Sequence, residues 1–168
     1  MIAHSAPTLR PARDDDAERL FHWRNEPLIV VLSSSQTTVD WPAHAKWFAD
    51  ALSSPARRIF IIEKDGEAIG QVRFDRSDVR TCVISVYLVG EHIGRKLGPA
   101  AIREACRLIF AAWDASRVLA CVRGENVRAQ AAFARAGFAP AASGECPDDH
   151  VAMALERPAV ESSKERTR

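Results

Sequence analysis

At 168 residues the chain is long enough for one domain and short for two. Apolar residues make up 47% and charged residues 27%, and 23 Lys and Arg against 22 Asp and Glu leave a formal charge of +1. That balance excludes the basic excess of a nonspecific nucleic-acid or membrane-surface binder, and the longest apolar run, Leu108 to Trp113, falls far short of the roughly 18–20 residues of a membrane span.

The segment Pro7 to Ala12, with proline near each end, predicts an edge strand. Asp14, Asp15 and Asp16 suit the start of a helix, where carboxylates meet the positive end of the dipole; it should run through Leu20, Phe21 and Trp23 and stop before Pro27. A Ser/Thr-rich loop follows, from Ser33 to Thr38. Asp40 is an N-cap candidate with Pro42 in the first turn, and Trp41, Ala45, Phe48 and Leu52 recur at helical spacing, which predicts a helix over 41–53. Arg58 to Glu63 and Ala68 to Asp75 read as strands joined by an Asp65-Gly66 turn. Thr81 to Val89 is a further strand. A glycine-containing loop, Gly94 to Gly98, then opens a long helix with Ile102, Ala105, Cys106, Ile109 and Trp113 on its inner face. Val118 to Val122 is a buried-type strand, and Asn126 to Ala136 a helix ended by Gly137. Two last strands are expected, one from Phe138 onward and one from Val151 to Leu155. From Arg157 the chain is charged and is expected to fray.

Cys82, Cys106, Cys121 and Cys146 show neither a C-x-x-C nor a short paired spacing. Cys106 and Cys121 sit in apolar stretches and are expected as small buried thiols. The histidines at 4, 22, 44, 92 and 150 never approach metal-ligand spacing, so no metal is expected. Met1 to Ser5 carries no basic start with an apolar stretch behind it, so no leader is expected and the protein is placed in the cytoplasm.

The chemistry concentrates between Tyr87 and Pro99. A strand feeds a loop with two glycines and two cations, Arg95 and Lys96, which opens a helix at Gly98-Pro99. Free backbone amides, the helix dipole and two cations together make an anion cradle suited to a pyrophosphate. Neither the Walker nor the dinucleotide spacing is present. About 30 residues later comes Asn126-x-x-Ala129-x-x-x-Phe133-x-x-x-Gly137-Phe138.

This layout resembles the GNAT acetyltransferase superfamily over roughly residues 7–156. The resemblance implies an α/β fold: a central mixed, mostly antiparallel sheet with strands 4 and 5 parallel and splayed, flanked by about four helices. Residues 7–156 would form a single N-acetyltransferase domain and 157–168 a charged C-terminal tail. Acetyl-coenzyme A, as cosubstrate, would fill the gap between the splayed strands. The backbone of Leu88 and Val89 would hold its pantetheine arm. Ile93, Gly94, Arg95, Lys96, Leu97, Gly98 and Pro99 would hold the pyrophosphate, with Asn126 and Phe133 near the sulfur.

Four positions depart from the family pattern. Ile93 stands where an arginine or glutamine usually leads the loop. Lys96 stands where a glycine is usual. Phe133 replaces the usual tyrosine, the general acid toward the departing thiolate. Cys121 falls where a glutamate base often stands. Ser85 could relay a proton through water, and His44 is a second catalytic candidate. Trp23-Arg24-Asn25, His44-x-x-Trp47-Phe48 and Ile69 to Phe74 resemble the branch that N-acetylates UDP-linked 4-amino sugars. That likeness implies substrate contacts from Arg24, Asn25, His44 and Trp47.

The expected function is acetyl transfer to a primary amine of a nucleotide-linked amino sugar. The alternatives are acylation of a protein N-terminus or other small amine, and a catalytically silent module that binds coenzyme A. The expected partner is a small-molecule amine, with no nucleic acid and no membrane; a homodimer is left open.

Overall fold

Asp65 and Gly66 both take positive φ, 51° and 83°, the backbone a two-residue hairpin turn of right-twisted strands requires. The computed structural model describes residues 5–159, and this turn joins β2 (Arg57–Lys64) to its longest strand, β3 (Glu67–Arg76). Around them lie β1 (Thr8–Pro11), β4 (Thr81–Leu88), β5 (Arg117–Arg123), β6 (Ala139–Pro140) and β7 (His150–Glu156). The sheet order is β1-β2-β3-β4-β5-β7-β6. Every pairing is antiparallel except β4 with β5.

That parallel pairing runs only from Thr81↔Arg117 to Ile84↔Ala120. Beyond it β4 stays paired with β3 as far as Leu88, and β5 with β7 as far as Arg123. The two strands therefore part in mid-sheet, as the resemblance implies.

Both faces of the sheet are covered. On one, α4 (Gly98–Ala112) and α5 (Val127–Arg135) lay Ile102, Ile109 and Phe133 over Val72, Phe74 and Val118. On the other, α1 (Ala17–Arg24) and α3 (Trp41–Ser53) set Leu20 and Phe48 against Ile59 and Ile61. Asp40 caps α3 by accepting a hydrogen bond from the Ala43 amide at 2.8 Å, the role its position predicts.

A fifth helix, α2 (Pro27–Leu32), corrects the expected four. Pro27 reads as a stop for the preceding helix, and α1 does end at Arg24. The same residue also starts α2 from its first turn, where a missing amide costs nothing. Arg157 does not fray: its guanidinium donates to the carbonyls of Ala115 and Trp113 at 2.7 and 2.6 Å. The rest of the expected tail, from residue 160, lies outside the described residues. Cys121 corrects a third expectation. It is bonded to Cys146, with Cα atoms 5.5 Å apart, whereas Cys82 and Cys106 are the buried free thiols; burial pushes the latter two up to about 11 and about 12.

One buried carboxylate ties α1 to the sheet edge. Asp16, with 1% of its side chain exposed, takes two hydrogen bonds from Arg10 (2.7 and 2.8 Å), one from Arg19 (2.7 Å) and one from the Arg13 amide (2.9 Å). Arg10 reaches on to Glu63 of β2 at 2.7 Å. Burial alone would raise the Asp16 pKa, but the hydrogen bonds from Arg10 and Arg13 and the charges of Arg10 and Arg19 outweigh it and hold the carboxyl below its usual range. A depressed carboxyl stabilises the fold fully above its unfolded value, about 3.9, and that contribution is lost as pH falls through the folded value. Asp16→Asn is expected to cost roughly 3 kcal/mol in urea denaturation, the low end for removing one partner of a buried pair. The variant's stability should also fall less than wild type's between pH 5 and pH 2.

Candidate active site

Where β4 and β5 part, a cleft of about 1010 Å³ opens across the sheet, from the N-terminus of α4 to the α1–α3 layer. At the α4 end the loop after the 3-10 turn Gly90–His92 holds Gly94 and Lys96 at φ of 81° and 61°. This winds the backbone so that the amides of Gly94, Lys96 and Leu97 donate to no acceptor among the described residues. The positive end of α4 lies behind these amides, the arrangement of donors that favours an anion. Lys96 pays for its left-handed backbone, about 1–2 kcal/mol, where the family pattern places a glycine.

Of the residues expected to hold a cofactor, Leu88, Ile93, Gly94 and residues 96–99 line the cleft, as do Asn126 and Phe133. Val89 and Arg95 do not. The Val89 amide donates instead to the Ile69 carbonyl at 3.0 Å, and the Arg95 guanidinium pairs with Glu91 at 2.9 Å. Asn126 caps α5 through the Ala129 amide at 3.1 Å. Phe133 is 4% exposed and meets Phe138 edge-on, ring centres 4.9 Å apart.

The opposite half of the cleft lies on the sheet face under α1–α3. Strand alternation puts Ser85 and Tyr87 on this face of β4, and Gln71 and Arg73 beside them on β3, in register. The Tyr87 hydroxyl donates to Gln71 Oε1 at 3.1 Å, and burial raises its pKa. Arg24 hangs over this floor from the end of α1. Its Nη2 donates to Ser35 Oγ at 2.7 Å, while Nη1 is buried without a hydrogen-bond partner among the described residues. Trp47 of α3 lies under the guanidinium groups of Arg57 and Arg73, each 5.5 Å from its ring centre.

His44 lines the cleft, but its Nε2 donates to the Ala17 carbonyl at 2.9 Å and its ring stacks on Phe48. Burial lowers its pKa, more than the Ala17 bond raises it, so the imidazole is neutral at pH 7 and pins α3 to α1. Asn25 does not line the cleft: its amide exchanges two hydrogen bonds with the Val39 backbone, at 2.9 and 2.8 Å, and closes the loop between α2 and α3.

Comparison with known proteins decides the family. The family described as Acetyltransferase (GNAT) domain matches residues 8–139. The chain belongs to the GNAT acetyltransferase family. It is 34% identical over 92 residues to uncharacterised N-acetyltransferases of Mycobacterium tuberculosis and Mycobacterium bovis; the match covers 54% of this chain and 58% of those proteins. The GNAT fold is shared with the aminoglycoside acetyltransferase AAC(6')-Ib bound to ribostamycin and coenzyme A, at a TM-score of 0.82 and 21% identity, over 97% of this chain and 100% of that one. It is shared too with spermidine N-acetyltransferase from Vibrio cholerae bound to coenzyme A and spermine, at 0.78 and 17%, over 89% and 95%.

Within this GNAT domain the structure adds residues that sequence reasoning missed. Tyr87 and Arg73 carried a signal, since period-two alternation places them on the same face as Ser85 and Gln71. Ser34 and His150 carried none: they come from a loop and a strand start 116 residues apart, yet lie 3.1 Å from one another at the cleft wall.

The Cys121–Cys146 bond crosses the same face of the GNAT sheet. It ties β5 to the segment after the 3-10 turn Ser143–Glu145 and closes a loop with a sequence separation of 25. Arg117 adds an ion pair to Glu145. A loop of this length is worth about 3 kcal/mol against the open chain. Reduction with dithiothreitol, or Cys146→Ser, is expected to lower Tm by roughly 5–12 °C, read by differential scanning fluorimetry.

Proposed function

We propose that residues 7–156 form one acetyl-coenzyme A-dependent N-acetyltransferase domain acting on a primary amine, that of a nucleotide-linked amino sugar. The observation that carries the cofactor half is the parting of β4 and β5 beside the undonated amides of Gly94, Lys96 and Leu97. A thioester-bearing pantetheine arm fits the gap between the strands, and its pyrophosphate fits the amide cradle at α4. AAC(6')-Ib and the spermidine enzyme, which share the fold, bind coenzyme A.

In this reading the amine attacks the thioester carbonyl, the tetrahedral oxyanion is held by β4 backbone donors, and the thiolate leaves. Phe133 has no proton to give that thiolate. Positioning and backbone electrostatics carry the larger share of the rate, because one general acid contributes typically 10²–10⁴-fold. Ser85, on the floor of the cleft, is placed to reach the acetyl group or a water beside it.

The acceptor half is cationic. Arg24 and Arg73 converge there, and Glu125 is the single carboxylate among the described residues that line the whole cleft. Aminoglycosides and spermine are polycations, and this lining repels them. An amine that also carries phosphate satisfies the buried Arg24 Nη1, through a charge-assisted bond worth typically 1.5–3 kcal/mol.

Acetyl-coenzyme A at millimolar concentration should raise Tm by mass action. Gly98→Val should abolish that shift with the fold kept, since a Cβ at Gly98 meets only Ala132 Cβ, at 3.6 Å. Lack of any shift in wild type refutes the cofactor half. With a UDP-linked 4-amino sugar as acceptor, Arg24→Ala should raise the acceptor KM roughly tenfold to a hundredfold and leave that for acetyl-coenzyme A little changed. Equal effects on both refute the acceptor half. Phe133→Tyr should raise turnover or leave it unchanged, because it restores the missing acid; its Tm is read alongside, since an unpaired buried hydroxyl costs about 1–3 kcal/mol. A large loss of turnover at unchanged Tm refutes this placement of the thiolate.

A further inference from the structure

The acceptor amine of an acetyl transfer arrives as an ammonium and must lose a proton before it can attack, and neither Cys121, in its disulfide, nor His44, pinned to Ala17, is free to take it. The described residues hold another group on the same face. His150 opens β7 in register with Arg123 of β5, two residues from the Cys121↔Ala152 pair. Register partners share a face, and alternation carries that face from Arg123 to Cys121. The imidazole is 3% exposed and lines the cleft. Its Nδ1 lies 2.6 Å from Asp149 Oδ1, and its Nε2 lies 3.1 Å from Ser34 Oγ, which also lines the cleft.

The two bonds fix the tautomer. Asp149 is held ionised, first by the hydrogen bond from His150 and then by the charge of Arg123, which outweigh desolvation. An ionised carboxylate only accepts, so Nδ1 carries the hydrogen and Nε2 of the neutral ring bears the lone pair. The Ser34 hydroxyl must then donate to Nε2, and the lone pair is directed at a group on the cleft wall.

We infer that His150 is the general base of the acetyl transfer, taking a proton from the acceptor's ammonium at Nε2 while Asp149 holds the ring as a positioning residue. This rests on the acetyltransferase reading above. Ser34 Oγ holds Nε2 until the amine arrives and displaces it. The ammonium gives one proton to Nε2, the neutral amine adds to the thioester carbonyl to form the new N–C bond and a tetrahedral intermediate, and the C–S bond breaks when that intermediate collapses. The second proton leaves the nitrogen as the tetrahedral intermediate collapses and ends on the departing thiolate. The imidazolium then returns its proton to solvent, so the balance is one ammonium and one thioester to one amide, one thiol and one proton.

The charges around the ring favour this exchange. Asp149 is on its own segment. Arg123 on β5 pairs with Asp149 at 3.2 Å and with Glu125 at 3.0 Å, so its charge is offset by two carboxylates. The loop of Ser33 to Ser35, packed from the other side, brings no charge of its own; Arg24 stands behind it on Ser35.

The test uses the full chain with acetyl-coenzyme A and a UDP-linked 4-amino sugar, and a parallel assay of acetyl-coenzyme A hydrolysis with no amine. His150→Gln should lower kcat roughly 10²–10⁴-fold at pH 7, leave the acetyl-coenzyme A KM within about threefold, and remove the acid limb of the kcat–pH profile. Asp149→Asn should lower kcat less and shift that limb rather than remove it. Nitrogen-15 NMR of the wild-type imidazole should report hydrogen on Nδ1. Turnover of His150→Gln within threefold of wild type, an unchanged acid limb, or hydrogen on Nε2 overturns the inference while leaving acetyl transfer in place. If wild type binds acetyl-coenzyme A but does not turn over the sugar, the acceptor reading fails alone, and hydrolysis must then show the same loss in His150→Gln. Neither binding nor thiol release in wild type overturns the acetyl-transfer reading and this inference with it.

Discussion

The parallel contact between β4 and β5 is long enough to join the two halves of the sheet and too short to close the space above it. Four register pairs, Thr81↔Arg117 to Ile84↔Ala120, hold the halves together. A longer ladder would seal the cleft, and a shorter one would leave the halves joined only by helices. Everything functional sits relative to this point. The α4 loop lies beyond it on one side, Ser85 and Cys121 are the first residues past it on the two strands, and the α1–α3 layer roofs the other side. Buried parallel strands are connected through crossover helices, and here α4 is that crossover; the connection therefore places a helix N-terminus at the mouth of the gap it creates.

Much of this was legible in the chain because local chemistry and global fold agree. The Asp65-Gly66 turn, the Asp40 cap, the left-handed Gly137 (φ 102°) and the amphipathic pattern of α4 each specify one local outcome, while the sheet arrangement came from the resemblance. The resemblance rested on residues whose roles are backbone roles, which sequence spacing conveys well. Legibility ended where side chains meet across long separations. Pro27 obeys two rules at once, ending α1 and starting α2, and only packing of Ile29 at 6% exposure shows that both apply. The Cys121–Cys146 bond and the Ser34–His150 contact depend on loop paths that no periodicity encodes. Arg157 looked like tail, yet it is fastened by two carbonyls left open at the end of α4 and the start of β5.

The site departs from the family pattern in linked ways. Cys121 is taken up by a disulfide, and Phe133 is packed edge-on against Phe138. Both side chains line the cleft and are held there by a partner, which stiffens its wall. Lys96 is different: it accepts a strained backbone to place a cation beside the amide cradle.

The two faces of the sheet carry separate apolar cores. Phe74, Ile102 and Ile109 belong to the α4–α5 side, Leu20, Phe48 and Ile61 to the α1–α3 side, and the alternation of β2 keeps them from sharing side chains. Effects of substitutions in groups without shared partners are close to additive. Substitutions in the α1–α3 layer are therefore expected to leave the packing energy of the α4–α5 layer unchanged. The roof of the cleft can thus be rebuilt while the layer that carries the α4 N-terminus stays as it is.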